Sequence, residues 1–596
     1  WRLMNRIYVS LCFLLAGLIG WSCSKGGQYN DGYIKYEPVT VSDFDRQILL
    51  KNIAEMDKRY DLEGRMITKV IKDWNYHTDA MNGTFHEVRA SFYYAVSLLD
   101  CGMKEYEQRA FDVIDKTISL QDTDPNSPSC GVWPYYEEEP LATKKSPIDY
   151  NWADFNAVSL LDIYMGHKDK LPAALLKKVE NALVLAAKSV QKRNCGPGYT
   201  NIAIMGTYVT YVTSHLFDMP EMQEYANERL KKFYEYTQEK GGFSEYNSPT
   251  YSIVAIDELN RMQRHIVEPE AKRMIDELYV KCWEMIARHY HKKSAQWAGP
   301  HSRSYRTLVS TSYYGILKEA SEGKVNLGYD PERVDVKTKH HIPENLLSYF
   351  LTPDYPRTET DIFEKEEPQI VGTAYLTDNY VLSSVSRSSM WNQRRPLTAY
   401  WGELNMAHYL QVRLLHDMYD FSTASVFTRQ KENKVLAVIN FGTNGGDKHI
   451  SIDRIRDGMF KAKDLRLRFE FGSCKDLDVS LPVRENVAFT AEASGCKTAI
   501  RLLEARFDHL KGYWEKGGDG ENSWVDYVIY SGNEKDFDLT QVAQAIYAFA
   551  LSFGNQSDEL SVDGADAVIS DNVLNASWGD LSVQAPVKPG KNPANL

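Results

Sequence analysis

The sequence predicts a multidomain chain, α then β: an N-terminal (α/α) toroid of about five to six helical hairpins, then a mainly antiparallel β-sandwich domain. Two observations carry this. From residue 43 to about 320, amphipathic charged segments alternate with segments that are apolar nearly all round, as outer and inner helices do. Beyond a connector the period shortens. Short runs rich in Val, Phe, Tyr and Thr follow, punctuated by Gly, Asn and Asp clusters, as strands are.

Residues 1–33 stand apart as a signal peptide and tether. Met4 reads as the start, Asn5 and Arg6 as a short basic region, and residues 7–19 as an apolar core. Small residues Gly17, Gly20 and Ser22 then lead to Cys23. A membrane-spanning helix needs roughly 20 apolar residues, more than this stretch supplies, so a membrane anchor helix is the weaker alternative. Cys23 resembles the lipidated cysteine of bacterial lipoproteins, although Trp21 stands where a smaller residue is usual. Residues 24–32 are polar and glycine-rich. The expected location is the periplasm or outer-membrane surface of a Gram-negative bacterium, with membrane contact only through lipid on Cys23.

The toroid is expected over 34–345. Its amphipathic segments are 104–120, 171–192, 221–238 and 270–291, and its apolar ones 88–99, 153–165, 202–217, 253–262 and 308–317. A helix with no polar face must be buried by its neighbours. Alternation at roughly 50 residues per pair, without a short repeated motif, favours a two-layer ring over a helical solenoid. Residues 323–368, rich in Pro and charge, read as the connector. The β domain is expected over 346–596, with strands at 371–386, 434–440, 465–471, 487–493 and 523–531 and one helix-like interruption at 539–553.

Composition narrows the partners. A net charge of −12 disfavours nucleic acid and anionic membrane surfaces. Any positive charge that serves an acidic substrate must be local. Tyr (38) and Trp (12) are abundant, and their flat apolar faces with polar tips suit sugar rings. The eight Cys are scattered without a CxxC pair, which argues against a zinc site and a disulfide framework; Cys474–Cys496 is the one bridge considered. No metal or cofactor is called for, although groups of the kind that hold calcium are common in β domains.

In a toroid, the loops leading into the inner helices converge on the mouth of the pocket. The five apolar helices are preceded by Thr84-Phe85-His86-Glu87-Val88-Arg89, Asp149-Tyr150-Asn151-Trp152, Gly198-Tyr199-Thr200-Asn201, Glu245-Tyr246-Asn247-Ser248-Pro249-Thr250-Tyr251 and Trp297-Ala298-Gly299-Pro300-His301-Ser302-Arg303-Ser304-Tyr305. Helix capping alone would explain Asn151, Asn201, Thr250 and Ser302. It does not explain the aromatics and bases beside them. An extended run would set His301, Arg303 and Tyr305 on one face.

Amides, a His, an Arg and Tyr hydroxyls fit β-elimination on a uronic acid sugar. The C5 proton leaves only if the adjacent carboxylate is neutralised, which Asn, His or Arg can do. A base takes that proton and an acid protonates the leaving oxygen at C4. Tyr can serve as either, and as a base it needs cationic neighbours to lower its pKa; Arg303, Arg264 and His301 are the candidates.

These features resemble the α/α-toroid polysaccharide lyases. Asn151-Trp152 is similar to an Asn-Trp at their pocket, and Asn247…Tyr251 and His301…Tyr305 are similar to their Asn, His and Tyr sets. Within that group the branch it points to is the gut-bacterial lyase that removes rhamnose from glucuronate on arabinogalactan proteins. The resemblance implies a tyrosine base at Tyr251 or Tyr305. The expected roles are then Tyr251 and Tyr305 as base and acid in open order, with His301 moving a proton or neutralising the carboxylate. Asn151, Trp152, Asn201, Asn247, Arg303 and Arg264 would bind substrate, and His86 and Arg89 would line the far wall. The run 387–396, with Arg387, Trp391, Arg394 and Arg395, is either a contribution of the β domain to the cleft rim or a solvated turn.

Two other functions compete. A glycoside hydrolase on the same toroid would need paired carboxylates, for which Asp154, Glu245, Asp257 and Glu87 are available. A non-catalytic surface glycan-binding lipoprotein would show aromatic platforms without positioned acids and bases.

Overall fold

The structure is a computed structural model that describes residues 28–591 apart from 74, 76, 333, 334, 447, 448, 450, 453 and 454. The leader and Cys23 lie outside the described residues. Among the described residues no helix is long and apolar enough to cross a membrane.

Among the described residues, ten helices form five outer–inner pairs: α1 (Asp43–Asp57), α2 (Val88–Asp100), α3 (Glu107–Ile118), α4 (Asn151–His167), α5 (Ala173–Arg193), α6 (Thr200–Leu216), α7 (Pro220–Lys240), α8 (Tyr251–His265), α9 (Pro269–Arg288) and α10 (Thr311–Ala320). A short α11 (Leu347–Leu351) follows. The burial pattern explains the alternation. Nearly every side chain of α4 and α6 is buried, whereas α5 and α7 each bury a single stripe such as Leu175, Val179, Ala182, Leu183 and Ala186. Inner helices α2, α4, α6 and α8 pack in succession, with the outer helices around them. This is the (α/α) toroid.

After α10 the chain crosses the base of the ring. Lys337 reaches Asp100 of α2 at 2.8 Å, and Lys339 reaches Asp45 of α1 at 2.6 Å. His340 sits between Asp257 of α8 (2.6 Å) and Glu319 of α10 (2.7 Å). The polar, Pro-rich connector therefore ties four helices together.

The β domain begins inside the expected connector, with the strand Arg357–Glu364. It is an antiparallel sandwich of a nine-stranded and a seven-stranded sheet, both counted among the described residues. Inward residues such as Leu410, Val412, Leu467, Phe469, Ala437, Ile439, Phe549 and Leu551 form its core. The expected helix at 539–553 is instead the strand Ala545–Asn555, between Lys434–Phe441 and Cys496–Phe507. It is apolar all round because both faces are covered. Tyr547, Phe549 and Leu551 face the sandwich core, while Ile546, Ala548 and Ala550 face a third layer built by Asp566–Ser570, Val573–Trp578 and Leu581–Pro586. A continuous apolar run does not distinguish a doubly covered strand from a buried helix. Cys474 and Cys496 are both buried and unbridged.

Residues 390–396 cross from the strand Arg387–Ser389 in one sheet to Leu397–Glu403 in the other. On the way they pair with the toroid. His301 N donates to the Arg395 carbonyl (3.1 Å), Arg395 N to that of His301 (3.0 Å), and Ser304 N to that of Gln393 (2.7 Å). Approach is close enough that a Cβ on Gly299 would lie 2.6 Å from Thr398 Oγ1. The two domains thus meet at the loop before α10.

Candidate active site

The inner helices start at one end of the ring, where Asp149 accepts from Asn151 N (3.0 Å) and Ser248 from Tyr251 N (3.0 Å). The N-cap positions of α4, α6 and α8 make no side-chain cap hydrogen bond. Asn151, Asn201 and Thr250 therefore stand at helix starts for some reason other than capping.

The centre of the site is a phenol pair. Tyr251, the first residue of α8, has its Oη 2.7 Å from that of Tyr305. Arg303 Nη2 donates to Tyr251 Oη at 3.0 Å, and its guanidinium stacks between the rings of Tyr251 (4.5 Å) and Trp391 (4.9 Å). Its other donors reach Glu245 Oε1 (Nη1, 3.2 Å) and Gln393 Oε1 (Nε, 2.9 Å). Tyr305 is 57% exposed, so the pair runs from the half-buried Tyr251 to solvent. Burial pushes the Tyr251 phenol well above its ordinary range, against the pull of Arg303, and it stays protonated at neutral pH. Burial also holds the Glu245 carboxyl up at about 7, again opposed by Arg303.

Asn201 joins this group through Glu245, whose carboxylate accepts from the Asn201 backbone N–H. The Asn201 side-chain Oδ1 and Glu245 Oε2 are buried without a protein partner. Both are unmet acceptors beside the phenol pair.

Asn247 and His301 form the floor beneath. Asn247 takes a left-handed backbone (φ 43°), which Asn tolerates better than most residues. Its Nδ2 donates to the carbonyls of Ala298 (2.9 Å) and Pro300 (2.8 Å), and its Oδ1 accepts from Trp297 Nε1. His301 is 2% exposed; its Nδ1 lies 2.7 Å from the Asn247 carbonyl and its Nε2 3.4 Å from Tyr400 Oη. Burial drives its pKa down to about 3, so the ring is neutral. The alternation of His301, Arg303 and Tyr305 does not produce one face. The loop is irregular, and the three side chains point to the floor, the centre and the rim.

A second group lines the adjoining wall. Asn151 donates to Tyr199 Oη at 3.0 Å and accepts from Arg193. Trp152 packs 4.3 Å from Tyr135, and Arg89 lies over Phe155 (3.8 Å) and Trp152 (5.4 Å). Asp154 is fully buried below, and its burial, opposed by Arg193 and Arg229, raises its carboxyl to about 7. His86 sits on the strand Gly83–Glu87, between Glu138 (2.6 Å) and Asp61 (2.9 Å). Burial pushes its pKa down, but those carboxylates outweigh it and the net direction is up.

Arg264 is elsewhere. It lies 13 residues after Tyr251 on α8, about 20 Å along the axis at the usual rise per residue. There it lines a shallow basin at the base with Gln263, Lys272, Tyr279 and His341. It cannot lower the pKa of Tyr251 from that end. Among the described residues no group of three or more His, Cys, Asp or Glu side chains is arranged to hold a metal ion.

Arg193, Tyr135, Tyr400 and the inward role of Gln393 carried no local sequence signal, because each reaches the site through a long-range contact. The cationic and aromatic run at 387–396 was the one hint that the β domain takes part.

A family model described as a domain of unknown function (DUF8769) matches residues 46–343, which is the toroid, and the chain belongs to that family. No functionally curated protein matches the chain. Among solved structures the chain is similar to a heparinase III (12% identity, TM-score 0.45, 92% of each chain covered). It is also similar to the heparan sulfate lyase HepC from Pedobacter heparinus (10% identity, TM-score 0.39, 92% of this chain and 90% of that one). A third is the heparinase III BT4657 gene product (8% identity, TM-score 0.38, 92% and 91%). Function has to be argued from the site.

Proposed function

We propose that this protein is a polysaccharide lyase that cleaves a uronic-acid linkage by β-elimination at the Tyr251–Tyr305 pair. The observation that carries the proposal is the guanidinium-bound phenol, with Arg303 Nη2 3.0 Å from Tyr251 Oη and Tyr305 Oη 2.7 Å away on the solvent side. Such a phenol can give a proton without leaving a bare anion, because the guanidinium meets the charge as it forms.

In the reaction the C5–H bond breaks, its electron pair forms the C4=C5 double bond, and the C4–O bond breaks. The leaving oxygen needs a proton. Tyr251, held protonated by burial, supplies it as the general acid. Tyr305 bridges Tyr251 to solvent and returns the proton. The base is the same phenol pair after it has lost a proton to solvent through Tyr305, with Arg303 meeting the charge on Tyr251; the C5 proton it takes is the one that Tyr251 then gives to the leaving oxygen. Asn201, 4% exposed and with its side-chain oxygen buried, backs the site from behind Glu245. His301 and Asn247, expected to touch substrate, are here assigned to building the floor that holds the Arg303 loop. Trp152 and Arg89 form a wall for neighbouring sugars, as Trp and Tyr faces suit sugar rings.

The experiment is a screen of uronate polysaccharides and glucuronate-bearing arabinogalactan, read by near-ultraviolet absorbance of the new double bond. Arabinogalactan is included because of the resemblance to the rhamnose–glucuronate lyases. Export and lipid attachment at Cys23 belong to the proposal too, and a Cys23→Ala change that leaves the protein membrane-bound would contradict the anchor.

A second function, glycoside hydrolysis, is favoured by one observation: the Glu245 and Asp154 carboxyls are both held up at about 7 near the same end of the ring. The other candidates are less suited. Asp257 is clasped by His340, and Glu87 faces Lys69 at 3.7 Å. Cleavage of a saturated glycan without near-ultraviolet absorbance would select this function, and binding without cleavage of any glycan would select a non-catalytic role.

A further inference from the structure

We infer that Gln393, from the β domain, is a positioning residue for the proposed reaction: it fixes Arg303 so that the guanidinium addresses Tyr251. This rests on the lyase reading for its kinetic consequence, but its geometric content stands apart from it.

An arginine side chain has several rotatable bonds, and its planar fork must be oriented before it serves one acceptor well. Here three acceptors fix the plane. Glu245 Oε1 takes Nη1, Gln393 Oε1 takes Nε at 2.9 Å, and the remaining nitrogen, Nη2, is left aimed at Tyr251 Oη. Of these, the Nε contact defines which way the fork faces, because Nε carries a single N–H. Glu245 cannot do this alone. It meets one terminal nitrogen at 3.2 Å, and burial holds its carboxyl up at about 7, so its charge varies near neutral pH.

Gln393 is well placed for the task. It is 5% exposed, its backbone carbonyl accepts from Ser304 N at 2.7 Å, and the neighbouring Arg395 pairs both ways with His301. Its side chain and its main chain therefore grip the same toroid loop, 301–304. Trp391, 3% exposed, closes the second face of the guanidinium. An amide at this position is also the right chemistry. It accepts from Nε without charge, so it does not compete with the phenol for the positive field, whereas a carboxylate would.

The consequence is that the β domain completes the site. The toroid supplies Tyr251, Tyr305, Arg303 and Glu245, and the crossover between the two sheets supplies the group that sets their geometry.

The test uses the full chain and the variants Gln393→Ala and Gln393→Glu. The first readout needs no substrate: the 15Nε–1Hε resonance of Arg303, assigned with Arg303→Lys. It should be resolved and slow to exchange in the parent protein and in Gln393→Glu, which keeps an acceptor at Nε, and should be lost in Gln393→Ala. The second readout is kinetic, on whichever uronate glycan the screen identifies. Gln393→Ala should lower kcat at least about tenfold with KM within about twofold, as expected when an interaction made in the transition state is lost. Gln393→Glu should recover part of that loss. An unchanged Arg303 resonance in Gln393→Ala would overturn the inference whether or not the protein is a lyase. So would equal kinetic damage in both variants alongside an equal drop in Tm, since that marks a structural role only. A lost resonance with no elimination on any glycan would instead leave Gln393 as the residue that orients Arg303 and strike at the lyase reading.

Discussion

The hydroxyls of Tyr251 and Tyr305 lie 2.7 Å apart, although 54 residues separate them in the chain. One comes from the first turn of an inner helix and the other from the loop that the β domain pins down. Their meeting depends on both domains, and so should the activity.

Tyr251 is the half-buried member that touches Arg303, and Tyr305 is the solvent-facing one. Tyr251→Phe is therefore expected to lower kcat by about a hundredfold or more, the usual scale of a lost general acid or base. Tyr305→Phe should cost about tenfold, since water can stand in for an exposed relay. Steady-state kinetics on the identified glycan check the order. Equal losses, or the reverse order, would reassign the roles.

Arg303 bridges three acceptors at once, at 2.9, 3.0 and 3.2 Å. Lysine is a point charge without a planar fork and cannot reproduce that arrangement. Arg303→Lys should thus behave much like Arg303→Ala in kcat despite keeping the charge. Full activity in Arg303→Lys would show that charge alone suffices.

Glu245 and Asp154 give the fold a defined pH dependence. Burial raises both carboxyls to about 7 in the folded state, from ordinary values of 4.5 and 3.8. A folded pKa above the unfolded one means stability that is full below the unfolded value and is lost as pH rises through about 7. Urea unfolding at about pH 5 and about pH 8 should show this loss, and Glu245→Gln should remove on the order of 2 kcal/mol of the difference. An unchanged pH slope in Glu245→Gln would contradict the burial argument.

His340 acts in the same direction at higher pH. Burial alone would push its pKa down, but the Asp257 and Glu319 carboxylates outweigh it and raise it to about 10. The stability from this clasp is full below the ordinary value of 6.5 and is lost as pH rises through about 10. His340→Gln should destabilise the protein by about 3 kcal/mol at neutral pH, the cost of breaking one side of a buried ion pair. Thermal unfolding across that range measures it, and a Tm within a degree or two of the parent would mean that the connector does not hold α8 and α10 together.

Much of the helical half was legible because periodicity reports burial. The all-apolar segments at 153–165 and 202–217 became α4 and α6, and the single-stripe segments became α5 and α7. The same logic failed at 539–553, where a strand covered on both faces has no polar side to reveal its period. At the site, the sequence singled out Tyr251, Arg303 and Tyr305 as residues near helix entries; Tyr251 opens α8, while Arg303 and Tyr305 stand in the loop before α10, and the three meet in the structure. Arg264 was misplaced: sharing a helix with Tyr251 puts it on the other end of that helix, not beside it. His301 was read as a proton carrier by residue type; the structure puts it in the floor, 2% exposed, with its two ring nitrogens against the Asn247 carbonyl and Tyr400 Oη. Gln393 could be picked out only once the register between 393–395 and 301–304 was known.

The central claim is elimination at the phenol pair, and one measurement bears on it most directly. Parent protein and Tyr251→Phe would be incubated with uronate polysaccharides and followed by near-ultraviolet absorbance, with product mass in parallel. The result expected is rising absorbance and an unsaturated product from the parent protein, nearly abolished in Tyr251→Phe. A saturated product without absorbance, or full activity in Tyr251→Phe, would contradict it.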